Sequence, residues 1–198
     1  TINKIPLDFS TPYGCSKGSA DLYVKDWSRI FGLKTIVFRH SSIYGDRQFS
    51  TYDQGWVGWF CHSAIKQKSE LINNQDITPF TISGSGKQVR DLLHVKDAVN
   101  LYDRFLTHPP NVFGDAFNIG GGLENSLSLL ELFEILKNKL ELKELKFSKL
   151  KRRSSDQDVF IANSNKAKKL LGWSPKHNLI DGINNMIKWC SEVNSIYK

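Results

Sequence analysis

Apolar positions in this chain change spacing several times, and each change marks a new element. From Pro12 onward they fall at Leu22, Tyr23, Trp27, Ile30 and Phe31, which is helical spacing, and Gly32 supplies a stop. Thr35-Ile36-Val37-Phe38 is a short β-branched run of the kind found in buried parallel strands. Trp56 to Lys68 predicts a helix with Trp56, Trp59, Phe60 and Ile65 on one side, a face that reads as core. Phe80-Thr81-Ile82 predicts a strand, Gly84-Ser85-Gly86 a turn, Val89 to Leu93 a short strand, and Val95 to Leu106 a helix ended by Pro109-Pro110. Phe117-Asn118-Ile119 predicts another strand with a flexible exit through Gly120, Gly121 and Gly122. Ser128 and Glu131 form a capping-box pattern ahead of a helix carrying Leu129, Leu132, Phe133, Leu136 and Leu140. Lys146-Phe147-Ser148 reads as an edge strand and Val159-Phe160-Ile161 follows a loop from Arg152 to Asp158. Lys166 to Leu171 is a short helix stopped by Gly172, and Leu179 to Val193 is a closing amphipathic helix.

A helix leading directly into a buried strand is the signature of a doubly wound α/β sheet. In such sheets ligands gather beyond the carboxyl ends of the strands, so the segment Arg39 to Gly45 is expected there. No internal repeat or low-complexity linker interrupts the pattern.

Composition narrows the class. The 198 residues are 40% hydrophobic and 12% aromatic, enough for a substantial globular core. No apolar run approaches the roughly 20 residues of a membrane span. Net charge is +7, much of it in Lys143, Lys146, Lys149, Lys151, Arg152 and Arg153. No nucleic-acid-binding signature accompanies that run, which reads as a solvated face. Cys15, Cys61 and Cys190 show no Cys-x-x-Cys spacing, and the histidines form no His-x-x-x-His pair. Reduced thiols in a cytoplasmic protein, without a metal site, are the expectation. The chain opens on Thr1-Ile2-Asn3-Lys4, without an initiator Met, as a segment of a longer protein would.

The chemistry concentrates in Ser10-Thr11-Pro12-Tyr13-Gly14-Cys15-Ser16-Lys17. Pro12 suits the first helical position with Thr11 or Ser10 as cap. Tyr13 and Lys17 are then one turn apart on one face. An ammonium beside a phenol favours the phenolate, so the pair suits general acid–base work. By itself the spacing is common, and a surface Lys beside a half-buried Tyr is the alternative.

Three motifs in order lift it: Pro12 to Lys17, Arg39-His40-Ser41-Ser42-Ile43-Tyr44-Gly45, and Gly84-Ser85-Gly86-Lys87-Gln88-Val89-Arg90-Asp91. Together they resemble the extended short-chain dehydrogenase/reductases, the NAD-dependent nucleotide-sugar epimerases and dehydratases. The run Tyr52 to Phe60 narrows the resemblance to members acting on CDP-linked dideoxyhexoses. The resemblance implies an α/β fold: an incomplete Rossmann-like doubly wound parallel sheet, its N-terminal half absent, plus a small mixed α/β substrate-binding domain. Residues 1–47 and 87–122 would form the NAD-binding part, and 48–86 and 123–198 the nucleotide-sugar part.

It further implies NAD as cofactor and epimerisation at C2 of the sugar by oxidation and re-reduction. Tyr13 would transfer the proton, and Lys17 would bind the nicotinamide ribose and lower the pKa of the phenol. His40, Ser41 and Ser42 would run beside the nicotinamide and sugar, with Ser42 touching substrate. Arg90 and Arg153 would grip the diphosphate, for which a planar guanidinium fork is suited; an ion pair between Arg90 and Asp91 is the plain alternative. The partner would be a nucleotide-diphosphate sugar, not a nucleic acid or membrane, and the full-length protein a homo-oligomer, dimer or tetramer. Asp158 and Asn163 depart from the pattern, where a basic residue and an aspartate are usual. The family's first Gly-rich turn, its adenosine-ribose acid and the Ser or Thr that partners the tyrosine are not in this sequence, so the chain alone is expected to be inactive. Rival readings are another nucleotide-sugar 4-epimerase or 4,6-dehydratase, or a non-catalytic fragment binding a nucleotide or partner chain.

Overall fold

The computed structural model describes residues 8–107 and 111–193. The elements in chain order are α1 (Pro12–Phe31), β1 (Val37–His40), β2 (Ser42–Tyr44), α2 (Trp56–Ile72), β3 (Phe80–Ser83), β4 (Val89–His94) and α3 (Val95–Thr107). There follow β5 (Ala116–Ile119), β6 (Ser126–Ser128), α4 (Leu129–Lys139), β7 (Phe147–Leu150), β8 (Val159–Phe160), α5 (Asn165–Leu171) and α6 (Leu179–Val193).

Helix α1 begins and ends on the residues the sequence singles out. The Gly14 N–H donates to Thr11 Oγ1 at 3.0 Å, and Pro12, which has no N–H to lose, sits at the first position. At the far end Gly32 adopts φ 65 and donates its N–H to Ser28 O, a left-handed stop that a side chain would resist. The strand after it starts two residues later than its β-branched run suggests. The Thr35 hydroxyl donates to Val24 O of α1 at 3.1 Å, and pairing begins only at Val37.

β1 pairs in parallel with β5, and β2 in parallel with β4. Residues 39–45 are therefore not an exit beyond a strand's end, as their motif suggests. The strand continues and changes partners at Ser41, whose N–H still donates to Ile119 O at 2.8 Å while Ser42 is already opposite Leu92. Helices cover both faces of β1. Arg39 makes a bidentate ion pair with Asp21 of α1 at 2.5 and 3.0 Å, while on the other face His40 stacks on Tyr102 of α3 and Phe38 meets the same ring edge-on. This is the doubly wound arrangement, and the parallel α/β class expected from sequence is what forms.

β4 also carries β6 antiparallel and β8 parallel on the half nearer its start, and β3 pairs with β7 in parallel. Two buried clusters result. One gathers Phe60, Phe80, Leu132, Phe133, Leu136, Ile183 and Met186 from α2, β3, α4 and α6. The other gathers Leu93, Leu101, Phe117 and Ile119 with Ala167 and Trp173, so α5 and its exit side with the α3–β5 layer. Asp97, buried in the first turn of α3, secures that exit by accepting from the N–H groups of Lys176 and His177 at 3.0 and 2.9 Å.

Gly120 to Gly122 form no flexible exit. A Cβ at Gly121 would fall 1.9 Å from Leu92 O, and one at Gly120 2.1 Å from Asp91 Oδ2, so Gly121 lets two backbones touch and Gly120 makes room for the Asp91 carboxylate. A short 3-10 turn at Leu123–Asn125 and strand β6, neither evident from periodicity, lead into α4. There the capping box forms as expected, with Ser128 and Glu131 each bonded to the other's backbone N–H. The helix-ending pair Pro109-Pro110 lies outside the described residues.

Candidate active site

A cleft of about 780 Å³ opens where β1 hands over to β2. Its walls bring together Tyr13, His40, Ser41, Ser42, Arg90 and Arg153, six of the seven residues expected to carry function. The seventh, Lys17, lies one turn along α1, outside the cleft wall. Its Nζ stands 5.6 Å from the centroid of the Tyr13 ring, and it has no carboxylate partner among the described residues. Tyr13 is 67% exposed, so its phenol is open to a ligand lying along α1.

His40 is held from behind. Its Nε2 lies 2.9 Å from the Tyr102 hydroxyl, the two rings stack, and burial lowers its pKa, favouring the neutral imidazole. Its Nδ1 is buried and lacks a hydrogen-bond partner among the described residues, while the buried Ser41 hydroxyl lies beside the Asp91 carboxylate. Beneath them Asp91 is fully buried, accepts the Gly122 N–H at 3.1 Å, and has a pKa raised by burial and partly restored by that bond and others.

Strand alternation puts Arg90 on the face opposite Asp91, so the neighbouring Arg–Asp ion pair does not form. Arg90 instead donates to its neighbour's carbonyl, Val89 O, at 2.8 Å, and burial lowers its pKa below the ordinary guanidinium range against the nearby charge of Asp156. Neither Arg90 nor Arg153 has a carboxylate ion pair among the described residues. Arg152 does: it pairs with Asp158 at 2.7 Å, which accounts for an acid at 158. Asn163, the other departure, accepts the Asn165 N–H at 3.0 Å ahead of α5.

The opposite wall is the start of α2, and here the reading of one continuous core face divides. Phe60 enters the core, but Trp56 and Trp59 also face the cleft, joined by Tyr52, whose ring meets Trp59 edge-on at 5.9 Å. The glycine spacing at 55 and 58 makes this possible. A Cβ at Gly58 would lie 2.0 Å from Ser50 Oγ, and Gly55 adopts φ 75, so the helix start settles onto Ser50. Gln48, Gln88 and Gln157 also line the cleft and carry no signal a single sequence would raise.

Among the described residues no group of three or more His, Cys, Asp or Glu is arranged for a metal, and no helix is long and apolar enough to cross a membrane.

The NAD dependent epimerase/dehydratase family model matches residues 1–120, and the chain belongs to that family. It is similar to CDP-paratose 2-epimerase of Salmonella typhi, with 53% identity over 187 residues, 94% of this chain and 54% of that protein. It is also 28% identical over 189 residues to a putative UDP-glucose 4-epimerase of Methanocaldococcus jannaschii, covering 96% of this chain and 56% of the relative. Among solved structures, UDP-glucuronic acid 4-epimerase from Bacillus cereus, in complex with UDP-glucuronic acid and NAD, superposes with a TM-score of 0.76 at 25% identity, covering 96% of this chain and 54% of that one. The chain spans about half the length of the curated relatives it matches. NAD as the family's cofactor, expected from the motifs, agrees with both the family description and this neighbour.

Proposed function

We propose that this chain is the C-terminal part of an NAD-dependent nucleotide-sugar epimerase that inverts C2 of a CDP-linked dideoxyhexose, CDP-paratose to CDP-tyvelose. The observation that carries the reading is the meeting of an exposed phenol, a serine-bearing strand switch and two arginines without carboxylate partners in one cleft. The 53% identity to CDP-paratose 2-epimerase supports the choice of sugar.

The residues present fit one end of NAD. Tyr13 and Lys17 stand open on α1, and the orphaned Nδ1 of His40 lies in the cleft. NAD, when bound, would supply the redox chemistry, hydride removal from C2 and its return, with Tyr13, Lys17, His40 and Ser41 along its nicotinamide end. The phenolate of Tyr13 takes the C2 hydroxyl proton and later gives it back. Lys17 binds the nicotinamide ribose and sets a positive charge beside the phenol. Arg90 and Arg153 neutralise the diphosphate, and Ser42 contacts substrate. Gly120 and Gly121 pack on Asp91 and Leu92, so the glycine run is a packing device rather than a cradle for the NAD phosphates in this reading. That end of the cofactor is held, in this reading, by residues outside this chain, and the chain alone neither binds NAD nor turns over.

The same proposal divides the molecule into an NAD-side part, 1–47 and 87–122, and a sugar-side part, 48–86 and 123–198; the two buried clusters follow it in the main, with Tyr44 and Leu92 of the first part packed in the larger cluster and Ala167 and Trp173 of the second in the smaller. The full-length protein is a dimer or tetramer in this reading.

In the full-length enzyme, Tyr13→Phe is expected to lower kcat about 10²–10⁴-fold with the nucleotide still bound. Undiminished turnover of CDP-paratose would end the assignment, and mass-spectrometric loss of water from the sugar would replace it with a dehydratase. Calorimetric titration of this isolated chain with NAD tests the division: micromolar binding refutes it.

A further inference from the structure

One polar contact in the cleft is left unused by these roles. Trp56, the first residue of α2, donates its indole N–H to the Ser42 hydroxyl oxygen at 3.3 Å, and both side chains line the cleft. The geometry points to Trp56 as a positioning residue, which occupies one lone pair of Ser42 so that the Ser42 proton is presented to a proton-free oxygen of the bound nucleotide sugar, on its diphosphate or on a carbonyl. This rests on the proposed contact between Ser42 and substrate.

The sense of the bond follows from the chemistry of its two ends. An indole N–H can only donate, whereas a serine hydroxyl has one proton and two lone pairs. An amide or hydroxyl at 56 would let Ser42 donate toward it, and the hydroxyl would then have two competing orientations. Against Trp56, which cannot accept, one lone pair is filled and the proton is left pointing elsewhere. Among the described residues no protein acceptor takes that proton. A phosphate oxygen and a ketone can only accept, so each suits the proton that Trp56 leaves free, whereas a sugar alcohol could equally donate to the remaining lone pair.

Both ends of the contact are rigid. Ser42 is fixed in β2 opposite Leu92 of β4. Trp56 packs against the larger buried cluster, and the close seat of Gly55 and Gly58 on Ser50 prevents the helix start from sliding. A hydroxyl oriented before the ligand arrives loses less freedom on binding it.

The test uses the full-length protein with NAD, in four forms: parent, Ser42→Ala, Trp56→Phe and the double variant. CDP affinity is measured by calorimetry, and kcat and KM on the CDP-sugar. Each single change is expected to weaken its affected step about three- to tenfold, the worth of one hydrogen bond. The double variant should be no worse than the weaker single, because both remove one bond. A phosphate acceptor shows as lost affinity for CDP itself; a sugar carbonyl shows as lower kcat with CDP affinity kept. If the single effects multiply in the double variant, or if Trp56→Phe matches the parent while Ser42→Ala is impaired, the inference is overturned and the role of Ser42 stands. If Ser42→Ala changes nothing, that role falls and takes the inference with it. Should Trp56→Phe not fold, Trp56→His is read in the parent and Ser42→Ala backgrounds: an effect that vanishes in the second supports the inference, and one that persists overturns it.

Discussion

Arg90 and Asp91 are adjacent and opposite in charge, yet they do different work because a strand sends neighbours to opposite faces. Asp91 goes under the glycine loop and Arg90 into the cleft, without an ion pair. A half-buried guanidinium in that position is a site for an anion, and its fork matters as much as its charge. Arg90→Ala in the full-length enzyme should weaken CDP binding about 10- to 100-fold, the range for a hydrogen bond to a charged group, while Arg90→Lys recovers only part of it. Calorimetric titration with CDP decides this, and equal affinities for all three forms would remove Arg90 from the site. Residue identity alone indicated Tyr13, Arg90 and Arg153, because motif order restricts them. It could not reveal Gln48, Gln88 or Gln157, whose place in the cleft depends on how β2, β4 and the loop before β8 come together. Nor could it explain Asp158 and Asn163, which answer to partners in their own neighbourhood, Arg152 and Asn165.

At the scale of elements, helix ends were the most legible feature. Thr11, Gly32, Ser128 with Glu131, and Gly172 all act where the sequence puts them, since capping is settled within four residues. Ser128→Ala should cost about 1 kcal/mol of stability. Glu131 has a pKa held below its ordinary 4.5 by hydrogen bonds from Ser128. Its contribution is accordingly complete above that ordinary value and fades as pH falls through the lower, folded value. The stability difference between the parent and Glu131→Gln, followed by denaturant titration, should be steady near neutral pH and shrink below about pH 4.5. A gap that widens in acid would contradict the bond. Strand limits were less legible. The change of partner at Ser41 needs β4 and β5 in place, and the Trp56–Trp59 face divides between core and cleft only because β2 comes up against it.

At the scale of the molecule, α1 leaves Tyr23, Trp27 and Ile30 51–68% exposed, on the side away from the Asp21–Arg39 pair, with Trp27 and Phe31 in ring contact at 5.1 Å. An apolar stripe of this kind is a site of association. The proposed oligomer of the full-length protein should use it, so Trp27→Glu with Ile30→Glu is expected to shift the sedimentation profile toward monomer. An unchanged assembly would place the interface elsewhere. Fold class was legible at this scale from the order of helices and strands. The layout of the two clusters was not, because α5 crosses from the sugar side of the sequence to pack on β5.

The unbroken run from β1 into β2 also limits what redesign can achieve. His40 and Ser42 are separated by one residue, and each is registered to a different neighbour, Ile119 and Leu92. If His40 and Ser42 meet cofactor and sugar as proposed, the spacing between those two is built into a ruler with no adjustable joint, and a longer or bulkier sugar would not be accommodated by stretching it. New substrate range has to be sought across the cleft, in the tight turn from Thr51 to Gln54 and the two indoles that follow it.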